Sequence, residues 1–157
     1  MNERAATITN YEKPWAYVVL TKPDVTFLVV MTTVAGFYLG STGAMNWALL
    51  LHTVVATMLV AGGTAALNQL IEREMDAVMR RTAARPLPAG VLRPRDVLIF
   101  GLVTIVAGAA WLAIAANVLA CLVALATSLL YLGCTRRSRR ARRSRPPSAR
   151  FPARSPR

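Results

Sequence analysis

Nitrogen and sulfur ligands are nearly missing from this chain: one histidine, His52, and two cysteines, Cys121 and Cys134, among 157 residues. The cysteines lack CxxC spacing, which excludes a disulfide framework or a cysteine metal cluster and leaves them as packing residues. A lone histidine about four turns before the nearest polar stretch reads as packed or hydrogen-bonded, not as a cofactor ligand. Acids are scarce too, seven against nineteen Lys and Arg, and none lies beyond Asp96. Residues 136–157 hold ten arginines and no acid, whereas residues 1–134 hold nine basic and seven acidic side chains, a net of +2. The formal charge of +12 therefore belongs mainly to one tail. That placement excludes a nucleic-acid-binding body, which would spread basic residues over residues 1–134.

Charge is also missing where a soluble core would be interrupted by it. Trp47–Leu67 carries only His52 and a few Thr and Gly, Val97–Ala116 carries no charge, and Val118–Cys134 follows directly after Asn117. Val25–Leu39 is apolar but short, and borrows Gly40 and Ser41. A hydrocarbon core of ~30 Å takes about 20 helical residues. The chain is predicted to be an all-α, polytopic bundle with about four membrane spans. A chain this short has too little interior to bury so many uncharged runs in a soluble fold. Gly62, Gly63, Ala65 and Ala66 in the second span, with Gly101 and Gly108 in the third, allow close helix contact in lipid.

Basic residues set the orientation. Arg4, Lys13 and Lys22 precede the first span, and Arg73, Arg80, Arg81, Arg85, Arg93 and Arg95 lie between the second and third. The links Gly40–Asn46 and Asn117 are uncharged. The positive-inside rule puts the N-terminus, the 68–96 loop and the tail in the cytoplasm, with the chain in the cell (plasma) membrane. The early apolar run Trp15–Leu20 is too short for a signal peptide and reads as an interfacial helix. Three segments follow: 1–24, a cytoplasmic segment with that helix; 25–134, the spans with the 68–96 loop; and 135–157, an Arg-rich tail.

The stretch Asn68 to Gly90, NQLIEREMDAVMRRTAARPLPAG, carries the chemistry. Asn68, Glu72 and Asp76 recur every four residues, which on a helix drifts by only roughly 40° per step and makes a column about 12 Å long. Asn68 and Glu72 continue an apolar run, and polar groups at membrane depth are costly and functional by default. Such a column of oxygen ligands suits Mg²⁺, which takes its remaining ligands from water and substrate phosphates. The arginines that follow would neutralise those phosphates.

These residues resemble the first aspartate-rich motif of the intramembrane, UbiA-type prenyltransferases, and within that family the heme-farnesylating branch, the heme O synthases. The likeness rests on Glu72-Arg73 between Asn68 and Asp76, on Met79-Arg80-Arg81-Thr82, and on Arg85-Pro86-Leu87-Pro88-Ala89-Gly90. Leu20-Thr21-Lys22-Pro23, Val25-Thr26-Phe27 and Ala35-Gly36-Phe37-Tyr38-Leu39 resemble the family's first helix. The likeness runs from about Tyr17 to Leu132. It implies transfer of the farnesyl group of farnesyl diphosphate to a vinyl carbon of heme b, with Mg²⁺ as cofactor and membrane lipid as surroundings. Partners would be heme A synthase or the oxidase-assembly machinery. By resemblance, Asn68, Glu72 and Asp76 bind Mg²⁺–diphosphate, and Arg80, Arg81, Arg85 and Lys22 contact phosphate or propionate. His52 lies toward the other membrane face and is not expected to ligate heme.

The family has about twice as many helices and a second acidic motif. Residues 135–157 supply neither: Arg, Ser and Pro cannot build a core, and the tail is predicted to be disordered. Read one nucleotide out of phase, with Arg as CGN and Ser as TCN codons, Ser148 to Arg157 allows Val-Gly-Ala-Val-Pro-Gly-Ala-Leu-Pro-Pro. That string resembles the family's continuation. A frameshift near Gly133 is therefore expected, leaving one of two metal-binding halves and little or no transferase activity. Two rivals stand beside this reading. One is an aromatic prenyltransferase of the quinone or chlorophyll type. The other is a small basic membrane protein whose tail binds anionic lipid.

Overall fold

The computed structural model describes residues 13–41, 43–79, 82 and 85–143, with backbone alone at 13 and 138–143. Among the described residues five helices follow in order: α1 (Lys13–Leu20), α2 (Pro23–Gly40), α3 (Trp47–Val78), α4 (Pro94–Ala115) and α5 (Val118–Arg143). The described residues contain no strand. Among the described residues four helices, α2 to α5, are long and apolar enough to cross a membrane. The chain is thus a polytopic all-α bundle, as its uncharged runs predicted.

Local chemistry sets the ends of these helices. Proline opens α2 and α4, where its missing N–H would lack a partner in any case. Asp24 and Asp96 sit in those first turns, where a negative charge meets the positive end of the helix dipole. Asn46 caps α3 by accepting a hydrogen bond from the Leu49 amide at 3.0 Å. Asn117 does the same for the Ala120 amide at 2.6 Å, so one capped asparagine suffices to reverse the chain between α4 and α5.

The most extensive packing joins α3 to α4. It depends on glycine: a Cβ at Gly63 would lie 2.7 Å from the Gly101 carbonyl oxygen, and one at Gly108 would lie 2.8 Å from that of Ala56. Thr64 donates to Ser128 at 3.0 Å, which ties α5 to α3 through buried hydroxyls. By contrast, α2 and the spanning part of α5 are barely covered by other helices. At the far end from the 79–93 connection, Trp111 donates to His52 at 3.4 Å, the hydrogen-bonded role expected for that histidine.

Two elements depart from the sequence reading. Helix α1 is not merely laid on an interface: Ala16 and Leu20 are fully buried and cluster with Ala66, Leu87, Leu92 and Val97. Tyr17 packs on Phe100 with ring centroids 5.0 Å apart. The apolar core of the described residues therefore gathers where α1, α3, α4 and the loop meet. Helix α5 continues past Cys134 to Arg143, because arginine is a good helix former and the first proline comes only at Pro146. Residues 144–157 lie outside the described residues. Cys121 is half-buried, but Cys134 is exposed and so is not a packing residue.

Candidate functional site

Helix α3 has 32 residues, ~48 Å at 1.5 Å per residue, against a hydrocarbon core of ~30 Å. It does not stop at Leu67, where the apolar run ends. Its last turns carry Asn68, Glu72 and Asp76 on one continuous helix, as the spacing required. Asn68 is 1% exposed, Asp76 is buried and Glu72 is half-buried.

Asn68 Oδ1 and its neighbour Gln69 Oε1 are both buried without a hydrogen-bond partner among the described residues. A buried acceptor left unmet costs about 1–3 kcal/mol, so it marks a place where a donor or cation belongs. Asp76 is met differently. Its Oδ2 accepts a hydrogen bond from Arg85 Nη1 at 2.8 Å, forming an ion pair between a buried carboxylate and a guanidinium 29% exposed. The contact engages one of two carboxylate oxygens.

The connection after α3 is built to make that pair. Met79 ends the helix with its amide bonded to the Met75 carbonyl. The Thr82 amide donates to the Met79 carbonyl at 3.0 Å, and its hydroxyl donates to the Asp76 carbonyl at 3.0 Å. The Arg85 amide donates to the Thr82 carbonyl at 3.1 Å, turning the guanidinium back over the helix end. Pro86 and Leu87 are buried beneath it. Gly90, at φ 78°, makes the left-handed step that releases the chain toward α4.

Lys22 stands at the corner between α1 and α2, half-buried, with φ 48° and ψ 71°. A left-handed non-glycine before proline is strained by about 1–3 kcal/mol and persists only where its surroundings impose it. Arg80 and Arg81 lie outside the described residues. Among the described residues no group of three or more His, Cys, Asp or Glu side chains could by itself hold a metal ion. The carboxamide of Asn68 and the carboxylates of Glu72 and Asp76 all lie on one helix. The orphaned Asn68 oxygen fits a hard cation.

Sequence reasoning missed Gln69, and it placed Thr82 in a motif without giving it the bond to the Asp76 carbonyl. Gln69 is 2% exposed and its Nε2 donates to the Leu20 carbonyl at 3.0 Å. The signal was available, since a carboxamide at membrane depth calls for a partner. Its partner, a helix-end carbonyl 49 residues earlier, could not be read from spacing.

Residues 29–142 match the UbiA prenyltransferase family. A protoheme IX farnesyltransferase of Solibacter usitatus is 42% identical, over 74% of this chain and 43% of its own length. One of Leptospira biflexa is 43% identical over 72% of this chain and 40% of its own length. One of Aquifex aeolicus is 43% identical over 65% and 34%. The chain thus spans about two fifths of the length of these curated relatives. No solved structure matches it. With the match covering most of the chain and four spans behind it, this protein belongs to the UbiA prenyltransferase family.

Proposed function

We propose that the site on α3 binds the diphosphate of farnesyl diphosphate, for transfer of its farnesyl group to a vinyl carbon of heme b. The carrying observation is the buried Asn68 oxygen, without a partner among the described residues, on the same helix as Glu72 and Asp76, which Arg85 pairs from the following loop. The three relatives named above are protoheme IX farnesyltransferases, which supports this choice over a quinone or chlorophyll acceptor.

Asn68, Glu72 and Asp76 would hold Mg²⁺, which supplies charge for the departing diphosphate when the allylic C–O bond ionises. Arg85, already turned toward the carboxylate column, can exchange its contact with Asp76 for a phosphate oxygen, where arginine binds bidentately. Lys22, Arg80 and Arg81 would add further positive charge. The surrounding membrane would keep water from the allylic cation before the vinyl carbon reaches it. The excess of basic residues at the N-terminus and in the 68–96 loop supports a cytoplasmic site in the plasma membrane.

The out-of-phase tail belongs to the same proposal: the 157-residue chain has little or no turnover, and its gene read in the alternate frame beyond codon 132 restores it. Heme O formation from heme b and farnesyl diphosphate, with and without Mg²⁺, is the test. Mg²⁺-dependent product is expected from the frame-restored protein only. Turnover by the 157-residue chain would overturn the inactivity. Absence of heme O from both, with prenylation of a quinone precursor instead, would overturn the acceptor.

A further inference from the structure

Gln69 sits one residue beyond Asn68, rotated by roughly 100° about the helix axis and so facing a different neighbour. That neighbour is the end of α1. The last carbonyls of a helix have no partner within it. Here Gln69 Nε2 donates to the Leu20 carbonyl at 3.0 Å and reaches that of Val19 at 3.4 Å. The Val19 carbonyl also accepts the Lys22 amide at 3.3 Å. Lys22 then takes its left-handed turn, and its own carbonyl receives the Val25 and Thr26 amides at 3.0 Å to start α2. Thr26 Oγ1 donates to the Thr21 carbonyl at 2.7 Å, closing the corner from the other side. Gln69 therefore reaches from the acidic helix to the carbonyls just before Lys22. Leu20 is fully buried, so water cannot substitute for that amide.

We infer that Gln69 is a positioning residue: its carboxamide fixes the left-handed Lys22 corner against α3, so that the Lys22 ammonium serves the same diphosphate as Asn68, Glu72 and Asp76. The role of Lys22 rests on the function proposed above; the hold of Gln69 on the corner does not. The carboxamide is assigned its direction by its partners, since two carbonyls can accept only from the NH₂ end.

The test uses the full 157-residue chain in lipid nanodiscs, with Gln69→Leu and Gln69→Met as near-isosteric variants lacking the donor. Amide hydrogen exchange at residues 19–26 should speed by about tenfold, the loss of roughly one hydrogen bond. Residues 101–112 should stay protected, showing that α3 and α4 remain packed. Calorimetry with inorganic pyrophosphate and Mg²⁺ then closes a double-mutant cycle. Gln69→Leu and Lys22→Ala should each weaken binding, and the double variant should bind no more weakly than Lys22→Ala. Unchanged exchange at 19–26, or faster exchange there accompanied by loss of protection at 101–112, overturns the positioning role. Faster exchange with additive affinities overturns action through Lys22. An unmodified chain that does not bind Mg²⁺–pyrophosphate overturns the proposed function and the role of Lys22, while the exchange result still decides whether Gln69 holds the corner.

Discussion

Asp76→Ala should lower the Mg²⁺-dependent affinity of the chain for pyrophosphate by about 100-fold, ~2.7 kcal/mol. Arg85→Ala should weaken it by roughly tenfold, the upper end for one contact to a charged group at a partly exposed position. The two variants should differ in the opposite sense in stability. Asp76→Ala leaves a guanidinium that is 29% exposed and can turn to water. Arg85→Ala leaves a carboxylate only 8% exposed, with its charged partner gone. Removing one member of a fully buried pair costs about 3–5 kcal/mol, and the exposure of Arg85 reduces this to the order of 1–3 kcal/mol. Mg²⁺ should then raise the melting temperature of Arg85→Ala more than that of the unmodified chain, because a cation can replace the lost guanidinium. Thermal unfolding with and without 10-fold steps of Mg²⁺ reads this directly. Equal Mg²⁺ responses would mean that Asp76 does not face the metal.

Gly63→Leu should part the two central spans. A Cβ there would lie 2.7 Å from the Gly101 carbonyl oxygen and 2.8 Å from Ile105 Cγ1. The Ile105 side chain can shift, but the backbone oxygen moves only with its helix. Overpacking usually costs about 1–3 kcal/mol, and a clash against backbone lies at or above the top of that range. Gly63→Ala should fall within the range. Gly36→Ala, with nothing within 4 Å, should be neutral or slightly stabilising, since alanine is the better helix former. Trp111 reports the outcome: it sits on α4 and bonds to His52 on α3, so its fluorescence changes when the pair separates. Equal melting curves for Gly63→Ala and Gly36→Ala would contradict the close crossing.

Much of this was legible because the bilayer imposes simple rules. Uncharged runs named four spans, and a four-residue spacing put Asn68, Glu72 and Asp76 on one helix. Small residues at Gly63, Gly101 and Gly108 marked the α3–α4 contact. The rest required three-dimensional closure. Asp76 and Arg85 are nine residues apart across a non-helical turn, and no periodicity pairs them. The burial of Ala16 and Leu20 depends on Leu87 and Leu92 from a distant loop and on Val97 from the start of α4, which turns an interfacial-looking helix into core. The left-handed Lys22 contradicts the preference of a residue before proline, and it sits between a local bond from Thr26 to the Thr21 carbonyl and a long-range one from Gln69 to the Leu20 carbonyl. The arginine run ending α5 was read as disorder from composition, although six of its residues, Arg136, Arg137, Arg139, Arg140, Arg142 and Arg143, fit a helix that has no proline to stop it.

The central claim is that the end of α3 grips a metal–diphosphate unit. Fe²⁺ can stand in for Mg²⁺ in a site of oxygen ligands, and on addition of peroxide it cuts the backbone beside it. Cleavage between residues 68 and 76 that needs pyrophosphate, is suppressed by excess Mg²⁺ and is absent from Asp76→Ala is the expected result. Cleavage confined to other segments, or none with both ligands present, would contradict the assignment.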